Sequence, residues 1–303
     1  MPSQRQEGEK MSILIDKNTR ILVQGITGKS GRMQTQLMIE SGSTIVAGVT
    51  PGKGGQEICG VPVYNTVAEA KKEHDFDTVV CLVPPKSARS CCFEAVDAGV
   101  SLFVLCTEQI PMHDIMQILA YAKQGGTKLI GPGCSGVIAP EICKAGSHPV
   151  RFFKRGYAGV VSKSGALSYE AGKTLTDAGI GQSTVVGIGG GPCFGFSQRD
   201  AVELYEKDPE TRVIVLLGEI GGNLEEEAAE YIKKHVTKPV VALIVGRHAP
   251  KGRSLGHAGA IISGNFGTAE SKIRALTEAG VKVVSSPGAL AEAVRAAGEN
   301  NRN

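Results

Sequence analysis

Two series of short β-branched runs, each alternating with helical stretches, constrain the fold of this chain more than any other feature of its sequence. RILVQGI (20–26), TIVAGVT (44–50), DTVVCLVPP (77–85), SLFVLCTE (101–108) and KLIGPGCSGVI (128–138) read as buried strands with helices between them. Strands that alternate with helices pair in parallel through crossovers, which makes a doubly wound sheet. From 139 to 156 the pattern lapses, over PEICKAGSHPVRFFKRG. A second series follows, carried by YAGVVSKSG, STVVGIGGG, VIVLLGEIGG, PVVALIVG and VKVVSSP. The pattern predicts an α/β protein of two tandem domains. The first, over 11–150, is Rossmann-like; the second, over 151–298, is a flavodoxin-like doubly wound domain. Residues 1–10 are expected to form a disordered extension and 299–303 a tail.

Forty glycines beside an ordinary apolar content of 42% fit a chain with many tight strand-to-helix turns. The eight cysteines contain no C-x-x-C pair, so they read as reduced thiols rather than a disulfide framework or a zinc site. A net charge of +3 without a basic run argues against nucleic acid. No stretch approaches the roughly eighteen apolar residues of a membrane span, and MPSQRQEGEK lacks the apolar segment of a signal peptide. A cytoplasmic protein is expected.

The first strand runs into GITGKSG, with Gly25, Gly28 and Gly31 ahead of a helix. Such a turn lets backbone amides approach a phosphate. Gly28, Lys29 and Ser30 imitate a Walker A loop, but Val23 stands where its first glycine belongs. An NAD site tends to have an acid at the end of the second strand. This chain has TPGKGG there, and Lys53 favours a ligand with an extra phosphate near its ribose, either coenzyme A or NADP. In the second domain three strand ends carry chemistry: SKSGALSYE with Ser162, Ser164 and Gly165, GEIGG with Glu219, and GHAGAII with His257. An imidazole that carries a phosphoryl group needs a mobile loop, a carboxylate for its second nitrogen and donors for the phosphate. The glycines, Glu219 and the helix start at Ser164 and Gly165 match those needs.

Taken together, these segments resemble the α subunits of succinyl-CoA synthetases (succinate–CoA ligases). The likeness covers 11–298, from MSILIDKNTR through GITGKSG, GVTPGKGG, TEQIP, GPGCSG, SKSGALSYE, GEIGG and KPVV to APKGRSLGHAGAIISG. It implies an NTP-dependent, nucleoside-diphosphate-forming carboxylate–CoA ligase of the tricarboxylic acid cycle. Its phosphohistidine is His257, oriented by Glu219. Thr27, Gly28, Lys29, Ser30, Lys53, Cys106, Thr107 and Glu108 are implied for coenzyme A, Ser164 and Gly165 for the phosphate, and Tyr169 for the acyl substrate. The resemblance further implies a β subunit of ATP-grasp fold that binds ATP or GTP with Mg2+, in an αβ or α2β2 assembly. No metal ligand is implied on this chain. The compartment is the cytoplasm, or the mitochondrial matrix in a eukaryote.

The chain departs from the family pattern at Gly133 and Ser135 in GPGCSG, where an Asn and a Pro are common, and at Gly191, where an Asp is common. SHPVRFFKRG replaces a GHIH-type segment. These positions leave the His257 motif intact and bear on the acyl pocket, so a ligase for malate, citrate or a succinate analogue is an alternative. A CoA-binding regulator without chemistry and an NADP oxidoreductase are the other readings.

Overall fold

The computed structural model describes residues 12–249, 256–262 and 267–300. Among these, the strands form two sheets of seven. The first contains β1 (Arg20–Gln24), β2 (Thr44–Val49), β3 (Glu57–Ile58), β4 (Val61–Tyr64), β5 (Thr78–Cys81), β6 (Leu102–Leu105) and β7 (Lys128–Ile130). Its spatial order is β3-β4-β2-β1-β5-β6-β7, with the short β3 antiparallel to β4. Without β3, the parallel strands follow the order of a Rossmann sheet, and the direction of winding reverses beside β1. The helices of this half are α1 (Lys29–Glu40), α2 (Val67–Glu73), α3 (Ala88–Asp97) and α4 (Met112–Gln124).

The second sheet contains β8 (Gly136–Ala139), β9 (Cys143–Gly146), β10 (Arg155–Ser162), β11 (Gln182–Gly187), β12 (Val213–Glu219), β13 (Val240–Val245) and β14 (Lys282–Val284). Its order is β14-β13-β12-β10-β11-β8-β9. The five parallel strands alone give the flavodoxin order, with its switch beside β10. α5 (Gly165–Asp177), α6 (Gln198–Lys207), α7 (Leu224–His235), α8 (Ala269–Glu278) and α9 (Leu290–Asn300) complete it. Parallel strands covered on both faces require apolar residues at every position. TVVC in β5, LFVL in β6 and all seven residues of β12 are accordingly buried.

The expected strand over 128–138 is two strands in different sheets. β7 ends the first sheet, whereas β8 runs antiparallel to β11, with Val185 opposite Ile138 and Gly187 opposite Gly136. Gly131–Pro132–Gly133 breaks the run because proline cannot donate to a ladder. The passage between sheets therefore falls at 131–135, ahead of the boundary read at 150. The lapse after 139 hides a β8–β9 hairpin, since CKAG has no β-branched residue to announce a strand. This hairpin ties the halves together: Ser43 Oγ donates to the Lys144 carbonyl at 2.8 Å, and Lys144 Nζ reaches Gln34 Oε1 of α1 at 3.2 Å. One apolar cluster runs without interruption from Ile21 and Val104 in the first sheet through Val137 and Ala145 to Val161 and Leu216 in the second. At the C-terminus, α9 extends through Asn300 into the expected tail. The expected N-terminal extension and residues 301–303 lie outside the described residues.

Candidate active site

Ligands of doubly wound sheets bind at the carboxyl ends of the strands, where the winding reverses. In the first sheet Gly25 follows β1 with φ +81°, and its N–H donates to the Val49 carbonyl at 2.8 Å. The turn is closed so tightly that a Cβ on Gly31 would stand 2.1 Å from the Gly25 carbonyl oxygen. Gly28 caps α1 without a side-chain hydrogen bond, so no cap takes up the first amides of the helix. Lys29 and Ser30 are exposed beside it, and Thr27 is half-buried. The Thr27 N–H faces the Thr50 hydroxyl at 3.5 Å, which links this turn to the loop after β2. There the Asn65 carboxamide oxygen accepts from the N–H groups of Gly52 (2.9 Å) and Gly54 (3.1 Å), fixing the backbone on either side of exposed Lys53. α2, α4, α6, α7, α8 and α9 each have an acid in their first turn, whereas α1 and α5, like α3, have none. A helix start without an acid, flanked by two lysines, favours an anion by about 0.3–1 kcal/mol per charge.

In the second sheet Ser164 caps α5, its Oγ accepting from the Leu167 N–H at 3.3 Å. Ser162 Oγ accepts from the Ser164 N–H and donates to the Ser164 carbonyl, so both hydroxyls shape the turn. Glu219 closes β12 and is buried. His257 comes from the loop between β13 and α8. Its Nδ1–H donates to the Glu219 carboxylate, 2.9 and 2.8 Å from the two oxygens. In the neutral ring this fixes the proton on Nδ1 and the lone pair on Nε2. The same hydrogen bond is the main reason that the His257 pKa is raised; burial and the Lys163 charge oppose it, and Glu108 adds to it.

The ring also lies against the backbone of the turn after β11. A Cβ on Gly190, in the turn after β11, would stand 2.3 Å from His257 Cγ. The Gly259 N–H donates to the Gly190 carbonyl at 3.0 Å. His257 opens into a cavity of about 550 Å³. Gly165 and Tyr169 of α5 line it, as do Thr107 and Glu108 at the end of β6. The structure thus brings Glu219, His257, Gly165, Tyr169, Thr107 and Glu108 to one place, with Ser164 behind Gly165. Thr27, Gly28, Lys29, Ser30 and Lys53 stand apart, at the ends of β1 and β2. Cys106 is half-buried and does not line the cavity, whereas its neighbours Thr107 and Glu108 do.

Sequence reasoning missed three contributors. Lys163 lines the cavity while only 3% exposed, yet within SKSG it looks like a surface residue. Gly190 has no signal beyond its place in GIGGG. His148 lay in the aperiodic segment. It is fully buried, its Nε2 3.2 Å from the Gly136 carbonyl and 3.4 Å from Ser135 Oγ. Burial pushes its pKa down to about 3, so the ring is neutral. It meets Tyr169 edge-on at 6.0 Å, and burial raises the Tyr169 phenol.

Two family models match the chain: a CoA binding domain over residues 16–109 and a CoA-ligase over 161–284. Succinate–CoA ligase [ADP-forming] subunit alpha of Aquifex aeolicus is 51% identical over 286 residues, 94% of each chain. Subunit alpha 1 of Archaeoglobus fulgidus is 51% identical over 276 residues, 91% of this chain and 94% of the relative. Among solved structures, the ATP citrate lyase of Methanosaeta concilii in complex with (3S)-citryl-CoA superposes with a TM-score of 0.86 at 27% identity. That match covers 96% of this chain but only 51% of the lyase. No helix of the described residues is long and apolar enough to cross a membrane. With half of all residues identical across nearly its whole length, the chain belongs to the family of succinate–CoA ligase α subunits.

Proposed function

We propose that this chain makes succinyl-CoA reversibly from succinate, coenzyme A and a nucleoside triphosphate, by way of a phosphoryl group carried on His257 Nε2. The hydrogen bond from His257 Nδ1 to Glu219 carries this reading. It leaves the lone pair on Nε2 and places a carboxylate where the ring becomes cationic on bonding phosphorus. Nε2 bonds the γ-phosphorus and the nucleoside diphosphate leaves. A succinate oxygen then takes the phosphoryl group, breaking the N–P bond and giving an acyl phosphate. The CoA sulfur attacks the acyl carbon, inorganic phosphate leaves, and the thioester remains. The α5 start at Gly165, held by the Ser164 cap, supplies amides to the phosphoryl group, and Lys163 supplies charge. Tyr169 faces the acyl chain.

The residues of the first sheet fit coenzyme A. Thr27, Gly28, Lys29 and Ser30 surround a turn that a Cβ would block, Lys53 suits the phosphate near the ribose, and Cys106, Thr107 and Glu108 lead toward His257. The α-subunit relatives imply a β partner. In this proposal it is an ATP-grasp subunit holding the nucleotide and Mg2+, in an αβ or α2β2 assembly in the cytoplasm or, in a eukaryote, the mitochondrial matrix. The relatives' ADP-forming names favour ATP. With the partner and γ-labelled ATP, the chain takes up an acid-labile, base-stable label, and His257→Asn abolishes it. Label that persists in His257→Asn overturns the proposal.

A second reading has a specific basis: Gly133, Ser135 and Gly191, which depart from the family pattern, all line the cavity. CoA-dependent phosphate release measured with succinate, malate and citrate separates the two. Faster release with citrate or malate replaces succinate as the substrate.

A further inference from the structure

Beneath Glu219 lies an ionic cluster that no ligand loop requires. Glu225, in the first turn of α7, is fully buried, and its Oε1 accepts the backbone N–H of Glu219 at 3.2 Å. It sits hard against β12: a Cβ on Gly218 would stand 2.7 Å from Glu225 Cγ and Oε1. Its Oε2 meets Lys272 Nζ of α8 at 2.5 Å. Lys272, also fully buried, donates to the Gly222 carbonyl and to Glu226 Oε2, each at 2.9 Å. From the turn before α5, Lys163 Nζ lies 3.6 Å from Glu225 Oε1 and donates to the Gly221 carbonyl at 3.3 Å. Two ammonium groups thus face two carboxylates, and the charges cancel.

Buried ion pairs rarely repay their desolvation as stability, and apolar side chains of similar volume often serve a fold as well. A neutral but highly charged cluster bonded to the main chain of Glu219 points instead to the site above it. We propose that Lys272, Glu225, Glu226 and Lys163 form a positioning device for the phosphoryl-accepting histidine, holding the Glu219 backbone and keeping the charge under the His257–Glu219 pair at zero. The inference rests on the role proposed for His257. Among the described residues, the charged groups that face the ring from other elements are Glu219 at the end of β12, Lys163 before α5 and Glu108 at the end of β6. The turn after β11 brings Gly189, Gly190, Gly191 and Pro192 to the cavity, none of them charged. A change of one charge in the cluster therefore reaches the imidazole with a defined sign.

The test is the NMR titration of the His257 ring in the full-length chain labelled with 15N-histidine. Glu225→Gln keeps an acceptor near the Glu219 N–H but leaves an excess positive charge, which lowers the midpoint by about half a pH unit or more. Lys272→Met leaves an excess negative charge and raises the midpoint. The double variant restores neutrality and returns toward the native midpoint, although it lacks both native groups. Opposite shifts with a return in the double variant support the device. Shifts of one sign, or none, overturn it and leave the cluster as packing. If the single variants do not fold, Glu226→Gln removes the same charge from a partly exposed position and lowers the midpoint; an unchanged midpoint there overturns the proposal. The ring titrates whether or not it accepts phosphate, so this failure is distinguishable from loss of the label.

Discussion

The turn before α1 and the turn before α5 occupy equivalent places in their sheets, and both present acid-free helix starts, yet they are built differently. The first is a surface device: Lys29 and Lys53 are exposed, and the Asn65 carboxamide, with backbone bonds such as that from the Lys53 N–H to the Thr50 carbonyl, holds the loop around Lys53. The second rests on buried charge: Lys163, Glu219 and Glu225 are all buried, and His257 is clamped between a carboxylate and a glycine backbone. Under the proposed function the contrast follows the task. A ligand that must leave in each cycle is held by solvated charges worth about a kilocalorie each. A ring that must return to one position while its charge changes needs a framework that does not move with it.

Rigidity at the second site makes it the more fragile. Gly190→Ala drives a methyl group into the space of the His257 ring, and a displacement of about 1 Å costs on the order of 10²-fold in turnover. The KM for coenzyme A stays at its native value. Equal loss in both parameters in steady-state assays merges the two regions and breaks the comparison. At the first site, Lys53→Ala raises the KM for coenzyme A about tenfold without changing kcat, an effect of about 1.4 kcal/mol. That penalty shrinks as salt is added, because exposed charges are screened over about 8 Å at physiological ionic strength. A salt-independent penalty sharpens the picture in the other direction, toward a desolvated Lys53.

The smallest effect concerns the support behind Tyr169. An unfolded histidine takes up a proton near pH 6.5, whereas His148 stays neutral down to about 3. Stability that is complete above pH 6.5 is therefore lost as the pH falls from there toward 3, by about 1.4 kcal/mol per unit. In urea unfolding between pH 7 and 5, His148→Leu flattens that slope, and an unchanged slope shows that another group sets it.

The doubly wound α/β class of both halves was legible because most parallel strands announce themselves as apolar runs, and glycine turns mark their carboxyl ends; the short β3 and β4 between 57 and 64 gave no such run. His257 and Glu219 could be paired across 38 residues for a related reason: Glu219 ends β12 and His257 follows β13, both in stretches too bare of side chains to be mere packing. The β8–β9 hairpin was not legible, since β8 reads as the end of the run from 128, CKAG in β9 has no β-branched residue, and the pairing of β8 comes from β11. Nor were Glu225 and Lys272. Glutamates in a first turn and a lysine one turn into a helix are ordinary solvated positions, and only the packing of α7 against α8 buries them together. Lys163 shows the same limit in the turn before α5, where three-dimensional proximity alone separates a buried cation from a surface one.

The central claim, that Glu219 holds Nδ1 so that Nε2 carries the phosphoryl group, has a direct test. Phosphorylate the chain with its partner subunit and ATP, with 15N in its histidines, and record the 15N–31P correlation. The account predicts a single phosphorus bonded to Nε2 of His257, absent in His257→Asn. Phosphorus on Nδ1, or on any other residue, contradicts it.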